Sequence, residues 1–284
     1  MTDLIDSLDQ IADRYDAVLC DLWGVVHNGR RAFPAAVTAL QRFRARGGTV
    51  VLISNVPKPR DPIGGQLDRL GVGRDAWDEI VTSGDAIRAE LARRAPGPMY
   101  RIGPGEDDVL WAGLGLAETR DVAAAGFLAI SGLDDPLAQT PADYLPLLAA
   151  AQARGLELLC ANPDIVVKVG ERLIWCAGAV GLEYDKLGGT TILAGKPHPP
   201  IYALAETELQ ARRGLVDKSR ILAIGDGAST DVLGANRYGV DALFIASGIH
   251  GEALIQDGAL SITAVAQTLA EAGAQARYVM PALG

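Results

Sequence analysis

The chain has 284 residues, 49% of them hydrophobic, and charges of both signs are mixed throughout, which excludes a disordered protein. The net charge of −9 disfavours nucleic acid and anionic membranes as partners, and no apolar run approaches the roughly 20 residues of a membrane helix. Three scattered cysteines are too few for a disulfide framework or a zinc site, and the N-terminus does not resemble a signal peptide, so we expect a cytoplasmic location.

Short β-branched runs alternate with helical patterns along most of the chain. In chain order, the predicted strands are Ala17–Cys20, Thr49–Ile53, Ile80–Thr82, Phe127–Ile130, Leu156–Cys160, Ile192–Ala194, Ile221–Ile224 and Ala242–Ile245. The predicted helices between them include Pro34–Arg46, Ala142–Arg154, Pro200–Arg213 and Asp231–Arg237. Several strands are apolar at every position, as strands covered on both faces are, so the alternation predicts an α/β fold with a mainly parallel sheet.

The middle of the chain has strands and helices of its own. We therefore expect residues 86–189 to form a small α/β domain inserted into a core domain made of residues 1–85 and 190–284. No linker composition marks either boundary. In open parallel sheets, ligands bind beyond the carboxyl ends of the strands, so the ends of the predicted strands are the places to search for chemistry.

The first predicted strand runs directly into a carboxylate. Asp21 would stand at the rim of the sheet, as a nucleophile or as a ligand for a hard cation. The alternative is an aspartate that caps the following turn or helix. The dipeptide Asn28-Gly29 predicts a tight hairpin, which would form a flap beside Asp21.

Two further strand ends carry polar residues. Ser54 and Asn55 end a buried strand, where a hydroxyl and free backbone N–H groups can hold phosphate oxygens; the alternative is an ordinary helix N-cap. Lys196 stands at another strand end, just before prolines that can open a helix. A fixed positive charge there suits a phosphate or a crowded carboxylate, and the alternative is a surface lysine.

We expect all four of these strands to lie in one sheet, and the last of the four strand ends carries two carboxylates. Asp226 ends the strand, and Asp231 would lie in the first turn of the next helix, a spacing that lets both converge on one cation. The alternative is one helix cap and one acid stabilised by the helix dipole. Mg²⁺ prefers carboxylates together with phosphate oxygens, and phosphoryl transfer needs charge neutralisation. The four motifs together therefore predict that Asp21 attacks phosphorus, that Lys196 and Mg²⁺ neutralise charge, and that Ser54 orients the phosphate.

These motifs follow one another in an order found in a known family. They are Asp21-Leu22-Trp23-Gly24-Val25, Ser54-Asn55, Gly195-Lys196-Pro197 and Gly225-Asp226 with Asp231. In this order they resemble the haloacid dehalogenase (HAD) superfamily over nearly the whole chain. The position of the inserted segment, and the run Asn162-Pro163-Asp164, resemble class IIA, the NagD-like and p-nitrophenyl-phosphatase-like branch. The resemblance implies a Rossmann-like core with an α/β cap over the site.

The resemblance also implies roles for individual residues. Asp21 would form an aspartyl-phosphate, and Mg²⁺ would be bound by Asp21, the backbone carbonyl of Trp23 and Asp226. Asp231 would hold or order the metal's ligands. Asn55 would contact the phosphate.

Trp23 departs from the pattern of HAD phosphatases, which have a second aspartate two residues after the nucleophile as general acid and base. A tryptophan still offers a backbone carbonyl to a metal, but the proton donor is lost, and general acid–base catalysis is worth about 10²–10⁴ in rate. Three explanations stay open. The substrate has a good leaving group, such as an acyl or aryl phosphate; another residue donates the proton, with His27 in the flap as the nearest candidate; or the protein binds a phosphorylated ligand and turns it over slowly.

The sequence therefore predicts a Mg²⁺-dependent phosphohydrolase that acts on a small phosphorylated metabolite. The alternatives are a catalytically weakened HAD-like protein that binds a phosphorylated ligand, and a dehalogenase, since dehalogenases of the superfamily also carry an aromatic residue at this position. Dehalogenases do not need Mg²⁺, so the presence of both Asp226 and Asp231 favours the metal-dependent branch. A homodimer formed through the cap is expected by analogy alone.

Overall fold

The structure is a computed structural model that describes residues 2–169, 172–256 and 258–284. Within these residues its larger sheet has seven strands, which are β1 (Asp3–Leu4), β2 (Ala17–Cys20), β3 (Thr49–Ser54), β4 (Glu79–Thr82), β12 (Ile221–Gly225), β13 (Asp241–Ile245) and β16 (Tyr278–Met280). The strand order is β1-β16-β13-β12-β2-β3-β4, and every neighbouring pair is parallel. The predicted α/β fold with a mainly parallel sheet is confirmed.

A second sheet lies between the two halves of the first in chain order. Its described strands are β5 (Met99–Ile102), β6 (Glu118–Thr119), β7 (Phe127–Ile130), β8 (Glu157–Cys160) and β11 (Thr190–Leu193), in the order β11-β8-β7-β5-β6 and all parallel. Two antiparallel hairpins complete the strands, β9 (Val166–Val169) with β10 (Arg172–Trp175) and β14 (Ile255–Gln256) with β15 (Ala259–Leu260). We call residues 99–193 the cap segment and the rest of the chain the core segment.

The strand predicted at Ile192–Ala194 does not belong to the larger sheet. It forms as β11 and pairs with β8 of the smaller sheet, so the predicted placement of all four motif strands in one sheet is wrong. The sequence of a short apolar strand does not indicate which sheet the strand joins, because both sheets contain buried, parallel neighbours. The predicted domain division stays a prediction, although β11 lies beyond the expected edge at residue 189.

Helices cover both faces of the larger sheet. The α-helices of the described residues are α1 (Pro34–Ala45), α2 (Arg60–Leu70), α3 (Ser83–Ala92), α4 (Leu145–Ala153), α5 (Ala177–Lys186), α6 (Pro199–Arg213), α7 (Leu233–Tyr238), α8 (Gly251–Leu254) and α9 (Ile262–Glu271). Of these, α4 and α5 pack on the smaller sheet. Strand β2 shows how the sequence encodes this arrangement. Val18 and Cys20 pack in one apolar cluster with α1 and α2, whereas Ala17 and Leu19 pack in another with α6, α7 and α9. Successive side chains point to opposite faces of a strand, so an apolar residue at every position gives a strand buried on both sides.

No helix among the described residues is both long and apolar enough to cross a membrane.

Candidate active site

The predicted strand-end residues of the core segment meet at one edge of the larger sheet. Strands β2, β3 and β12 are neighbours and parallel, so the residues that follow them, Asp21, Asn55 and Asp226, leave the sheet side by side. The backbone N–H of Asp21 continues the ladder by donating to the carbonyl of Ile224 at 2.8 Å. Asp21 is only 5% exposed. The nucleophile predicted from the sequence is therefore a buried carboxylate on a rigid support.

Lys196 reaches this edge from the other sheet. Its ammonium lies 2.5 Å from Asp21 Oδ1 and 2.6 Å from Asp231 Oδ1, and it also donates to the carbonyl of Ile53 at 3.2 Å. The side chain is almost completely buried, so the alternative of a surface lysine is excluded. Burial alone disfavours the ammonium, but the carboxylates of Asp21 and Asp231 outweigh it and raise the pKa of Lys196 well above its ordinary value.

Two carboxylates follow β12 and complete the acidic cluster. Asp226 Oδ2 accepts from the backbone N–H of Ile249 at 2.7 Å, and Asp231, in a short π-helical turn, accepts from that of Gly227 at 3.0 Å. A Cβ at Gly248 would lie 1.9 Å from Asp226 Oδ2, so only glycine allows the backbone to approach Asp226 this closely.

When its three carboxylates are ionised, the acidic cluster carries more negative charge than its lysine neutralises. Ligand oxygens of Asp21, Asp226 and Asp231 all lie within 4.8 Å of one another. Burial, followed by repulsion from Asp231, raises the pKa of Asp226 to about 7. Burial likewise raises the pKa of Asp21 well above its ordinary value, against the opposing attraction of Lys196. Three buried carboxylates around one ammonium are a donor set that fits a hard divalent cation.

Asn55 connects the core segment to the cap segment. Its side-chain oxygen accepts from the N–H of Lys196 at 2.7 Å, and its amide nitrogen donates to the carbonyl of Lys196 at 3.1 Å and to Asp164 Oδ1 at 2.8 Å. Ser54 Oγ accepts from the N–H of Val56 at 3.3 Å, which leaves its hydroxyl proton available to another acceptor. Both residues line the same cavity as Asp21, and their predicted contact with phosphate stays a prediction.

Trp23 stands at the position of the expected second aspartate and links the core segment to the β9–β10 hairpin of the cap segment. Its indole Nε1 donates to the backbone carbonyl of Lys168 at 2.7 Å. The ring packs edge-on against His27 with 5.3 Å between ring centroids, and a Cβ at Gly29 would lie 2.4 Å from it. The indole that replaces the expected acid is therefore a hydrogen-bond donor, and its N–H is already bonded to the backbone of β9.

We expect Trp23→Phe to loosen the β9–β10 hairpin, since phenylalanine keeps most of the ring but cannot donate to Lys168. A neutral hydrogen bond of this kind contributes about 1 kcal/mol, which corresponds to roughly fivefold faster opening. Hydrogen exchange of residues 166–169 and 172–175, followed by mass spectrometry, measures this. The control is Trp175→Phe, because Trp175 is 41% exposed on the same hairpin. Equal exchange in the Trp23 variant and the wild type would refute the role given to the indole.

The predicted turn at Asn28-Gly29 is present, but His27 does not suit the role of proton donor. The N–H of Asn28 donates to the carbonyl of Arg31 at 3.2 Å, and His27 forms an antiparallel bridge with Ala32. His27 Nδ1 accepts from the N–H of Gly29 at 3.0 Å, and burial lowers the pKa of His27 to about 4. The side chain lies outside the cavity that contains Asp21. We therefore discard His27 as the proton donor.

The buried, neutral His27 makes the folded state sensitive to acid. The unfolded chain takes up this proton near pH 6.5 and the folded chain only near pH 4, so stability falls as the pH decreases through this window. The loss reaches at most about 3 kcal/mol. Urea unfolding of the wild type and of His27→Asn between pH 7.5 and 4.5 tests this. The free-energy difference between the two proteins should shift in favour of the variant as the pH falls, and a constant difference would contradict the assignment.

A cavity of about 720 Å³ opens above the acidic cluster, between the core and cap segments. Its floor contains Asp21, Lys196 and the two carboxylates after β12. The cap segment contributes residues 163–168, from Pro163 through the start of the hairpin. Apolar side chains, Phe33, Ile165, Val166, Val167, Ile249 and Ile255, line much of the space beyond the floor. The cavity thus combines a charged floor with a largely apolar upper part.

The comparison with known proteins identifies the family. A family model described as haloacid dehalogenase-like hydrolase matches residues 18–117, and a second, described as HAD-hydrolase-like, matches residues 193–272. A crystal structure of a hydrolase of the haloacid dehalogenase-like family from Brucella suis 1330 is 43% identical, with a TM-score of 0.88. The match covers 99% of this chain and 100% of that one. The chain belongs to the haloacid dehalogenase-like hydrolases.

More distant relatives define the branch of the family. The ribonucleotide monophosphatase NagD of Escherichia coli is 25% identical over 82% of this chain and 88% of its own length. The D-glycerol 3-phosphate phosphatase of Mycobacterium tuberculosis is 27% identical over 86% of this chain, which spans 66% of that relative. A structure of glycerol phosphate phosphatase from that organism in complex with magnesium is 26% identical, with a TM-score of 0.64 and coverage of 89% and 74% of the two chains. The protein is a class IIA, NagD-like HAD hydrolase, as its motifs predicted.

Proposed function

We propose that the protein is a Mg²⁺-dependent phosphohydrolase that cleaves a small phosphorylated metabolite through an aspartyl-phosphate on Asp21. The observation that carries this proposal is the buried contact between Asp21 and Lys196 within a cluster of three carboxylates, at the floor of a cavity of about 720 Å³. A cytoplasmic location, and a homodimer formed through the cap, stay predictions.

Asp21 and Lys196 supply the covalent chemistry. A carboxylate oxygen of Asp21 attacks the phosphorus, the bond to the leaving-group oxygen breaks, and water then hydrolyses the aspartyl-phosphate and releases inorganic phosphate. Lys196 favours the ionised form of the nucleophile, against the effect of burial, and adds positive charge beside the phosphoryl oxygens. Ser54, with its free hydroxyl proton, would orient one of these oxygens.

The acidic cluster is where Mg²⁺ would be held. Asp21, Asp226 and the backbone carbonyl of Trp23 would be its protein ligands, and Asp231 would order them while it holds Lys196. A bound divalent cation would neutralise the charge of the phosphoryl group. The excess of negative charge among these residues supports this assignment, as does the magnesium complex of the M. tuberculosis relative.

Phosphate release tests the proposal. A panel of alkyl, aryl and acyl phosphates is incubated with the wild type in Mg²⁺ and in EDTA, beside Asp21→Asn. Turnover that requires Mg²⁺ and disappears in the variant would support the proposal. No release from any substrate by the folded wild type would favour the alternative that Trp23 suggests, a protein that binds a phosphorylated ligand without efficient hydrolysis.

A further inference from the structure

The leaving group needs a proton donor that neither Trp23 nor His27 provides. The phosphoryl group is expected at the floor of the cavity beside Asp21, so the leaving group must extend toward the cap segment. A donor must therefore be an acid that lines the cavity from the cap side. Asp164 is an acid in this position.

Asp164 is held firmly where the cap segment meets the core. Its Oδ1 accepts from the side chain of Asn55 at 2.8 Å, and its N–H donates to Asn162 Oδ1 at 3.0 Å. Helix α5 packs against the same turn so closely that a Cβ at Gly178 would lie 2.1 Å from the carbonyl oxygen of Pro163. Oδ2 has no hydrogen-bond partner among the residues that the structure describes, so this oxygen is available to a ligand.

The other acids and histidines of the cavity are less suited to the role. Asp231 accepts a hydrogen bond from Lys196, and Asp226 belongs to the acidic cluster at the floor of the cavity. Glu252 is 90% exposed at the side chain and forms an ion pair with Lys168. His198 and His250 are partly buried, and burial lowers the pKa of both, so little of either is protonated at neutral pH.

The surroundings of Asp164 favour its protonated form. Burial raises the pKa of Asp164 above its ordinary value, whereas the hydrogen bond from Asn55 and the charge of Lys196 oppose the shift. The other ionisable groups that act on it or respond to it are Asp231 and Asp226, in the acidic cluster, Cys160, at the end of β8, and Cys176, before α5. A carboxyl with a raised pKa keeps its proton to a higher pH than an ordinary aspartate, and this favours general acid catalysis.

We propose that Asp164 is the general acid and base of this enzyme, in place of the aspartate that Trp23 replaces; this rests on the proposed phosphohydrolase function. As Asp21 attacks phosphorus and the bond to the leaving-group oxygen breaks, the carboxyl proton of Asp164 moves to that oxygen. The Asp164 carboxylate then takes a proton from the water that attacks the aspartyl-phosphate. The bond between phosphorus and Asp21 breaks, phosphate leaves, and Asp164 is protonated again.

The test compares Asp164→Asn with the wild type on a series of alkyl and aryl phosphates of rising leaving-group pKa, in Mg²⁺. We expect kcat/KM for alkyl phosphates to fall by about 10²–10⁴, and by a progressively smaller factor as the leaving group improves.

With p-nitrophenyl phosphate, hydrolysis of the aspartyl-phosphate becomes limiting in the variant, so a burst of p-nitrophenolate equal to the enzyme concentration should precede slow turnover. The alkaline limb of the kcat/KM profile should disappear, and Asp164→Glu should restore part of the activity. Glu252→Gln, which removes an acid from the rim of the same cavity, serves as the matched control and should show no dependence on the leaving group.

Two outcomes would overturn the proposal, and they are distinguishable. If Asp164→Asn lowers kcat/KM by the same factor for every leaving group and gives no burst, Asp164 acts only structurally through Asn55, while the phosphohydrolase function stands on the activity of the wild type and its loss in Asp21→Asn. If the wild type releases no phosphate from any member of the series, both proposals fail together.

Discussion

Asp21→Asn is expected to abolish turnover without destabilising the protein. An amide is not a competent nucleophile toward phosphorus, and loss of a nucleophile costs on the order of 10⁴-fold or more in rate. The substitution also removes the buried charge of the Asp21 carboxylate, which disfavours the folded state. Burial raises the pKa of Asp21 above its value in the unfolded chain, so its ionised form weakens folding at neutral pH, and the neutral amide removes that cost.

The measurements are phosphate release, labelling of the protein by radioactive substrate in acid-quenched samples, and thermal unfolding. The wild type should carry label on the protein and the variant should not, while the melting temperature of the variant equals or exceeds that of the wild type. Asp241→Asn is a suitable control, because Asp241 accepts from Tyr15 and Arg277 at 2.6 Å each, away from the cavity. It should keep turnover and lose stability, and residual turnover with retained label in the Asp21 variant would show that another residue is the nucleophile.

Eight of the sixteen described strands were predictable because their signals are local. Apolar runs such as Ala17–Cys20 and Phe127–Ile130 are buried at every position and form strands with the predicted bounds. The β9–β10 hairpin was missed because its short strands, Val166–Val169 and Arg172–Trp175, are only partly buried and mix charged with apolar residues. Sheet membership is a long-range property, which is why Ile192–Ala194 was placed in the wrong sheet.

The acidic cluster was predictable for a geometric reason, whereas the environment of Trp23 was not. Carboxyl ends of parallel neighbours meet at one edge, so Asp21, Asp226 and Asp231 had to lie close together once β2 and β12 were adjacent. The hydrogen bond from Trp23 to Lys168 joins residues 145 positions apart in the chain, and no local sequence pattern indicates it. The burial of His27 cannot be read from the sequence either, which is why His27 stayed open there as a candidate proton donor.

Lys196→Met is expected to damage both stability and activity, because it leaves two buried carboxylates without their shared cation. Asp21 and Asp231 would then face each other across the space of the lost ammonium, which lies 2.5 and 2.6 Å from their oxygens in the wild type. Removal of one partner from a buried ion pair costs about 3–5 kcal/mol. Turnover should fall as well, since Asp21, the proposed nucleophile, loses the positive charge that favours its ionised form.

The pH dependence separates this explanation from a simple packing defect. The pKa of Lys196 is raised in the folded state, so its contribution is fully present below the ordinary lysine value of about 10.4 and is lost only above it. The carboxylates of the variant are relieved as they take up protons, so the difference in unfolding free energy between the two proteins should shrink as the pH falls from 8 to 5. Mg²⁺ should raise the melting temperature of the variant more than that of the wild type, because it supplies the missing positive charge. Lys218→Met removes an exposed lysine that stacks on Tyr238 and should show neither effect. A difference that is constant in pH and insensitive to Mg²⁺ would mean that Lys196 fills space at this edge of the sheet and does not balance its charge.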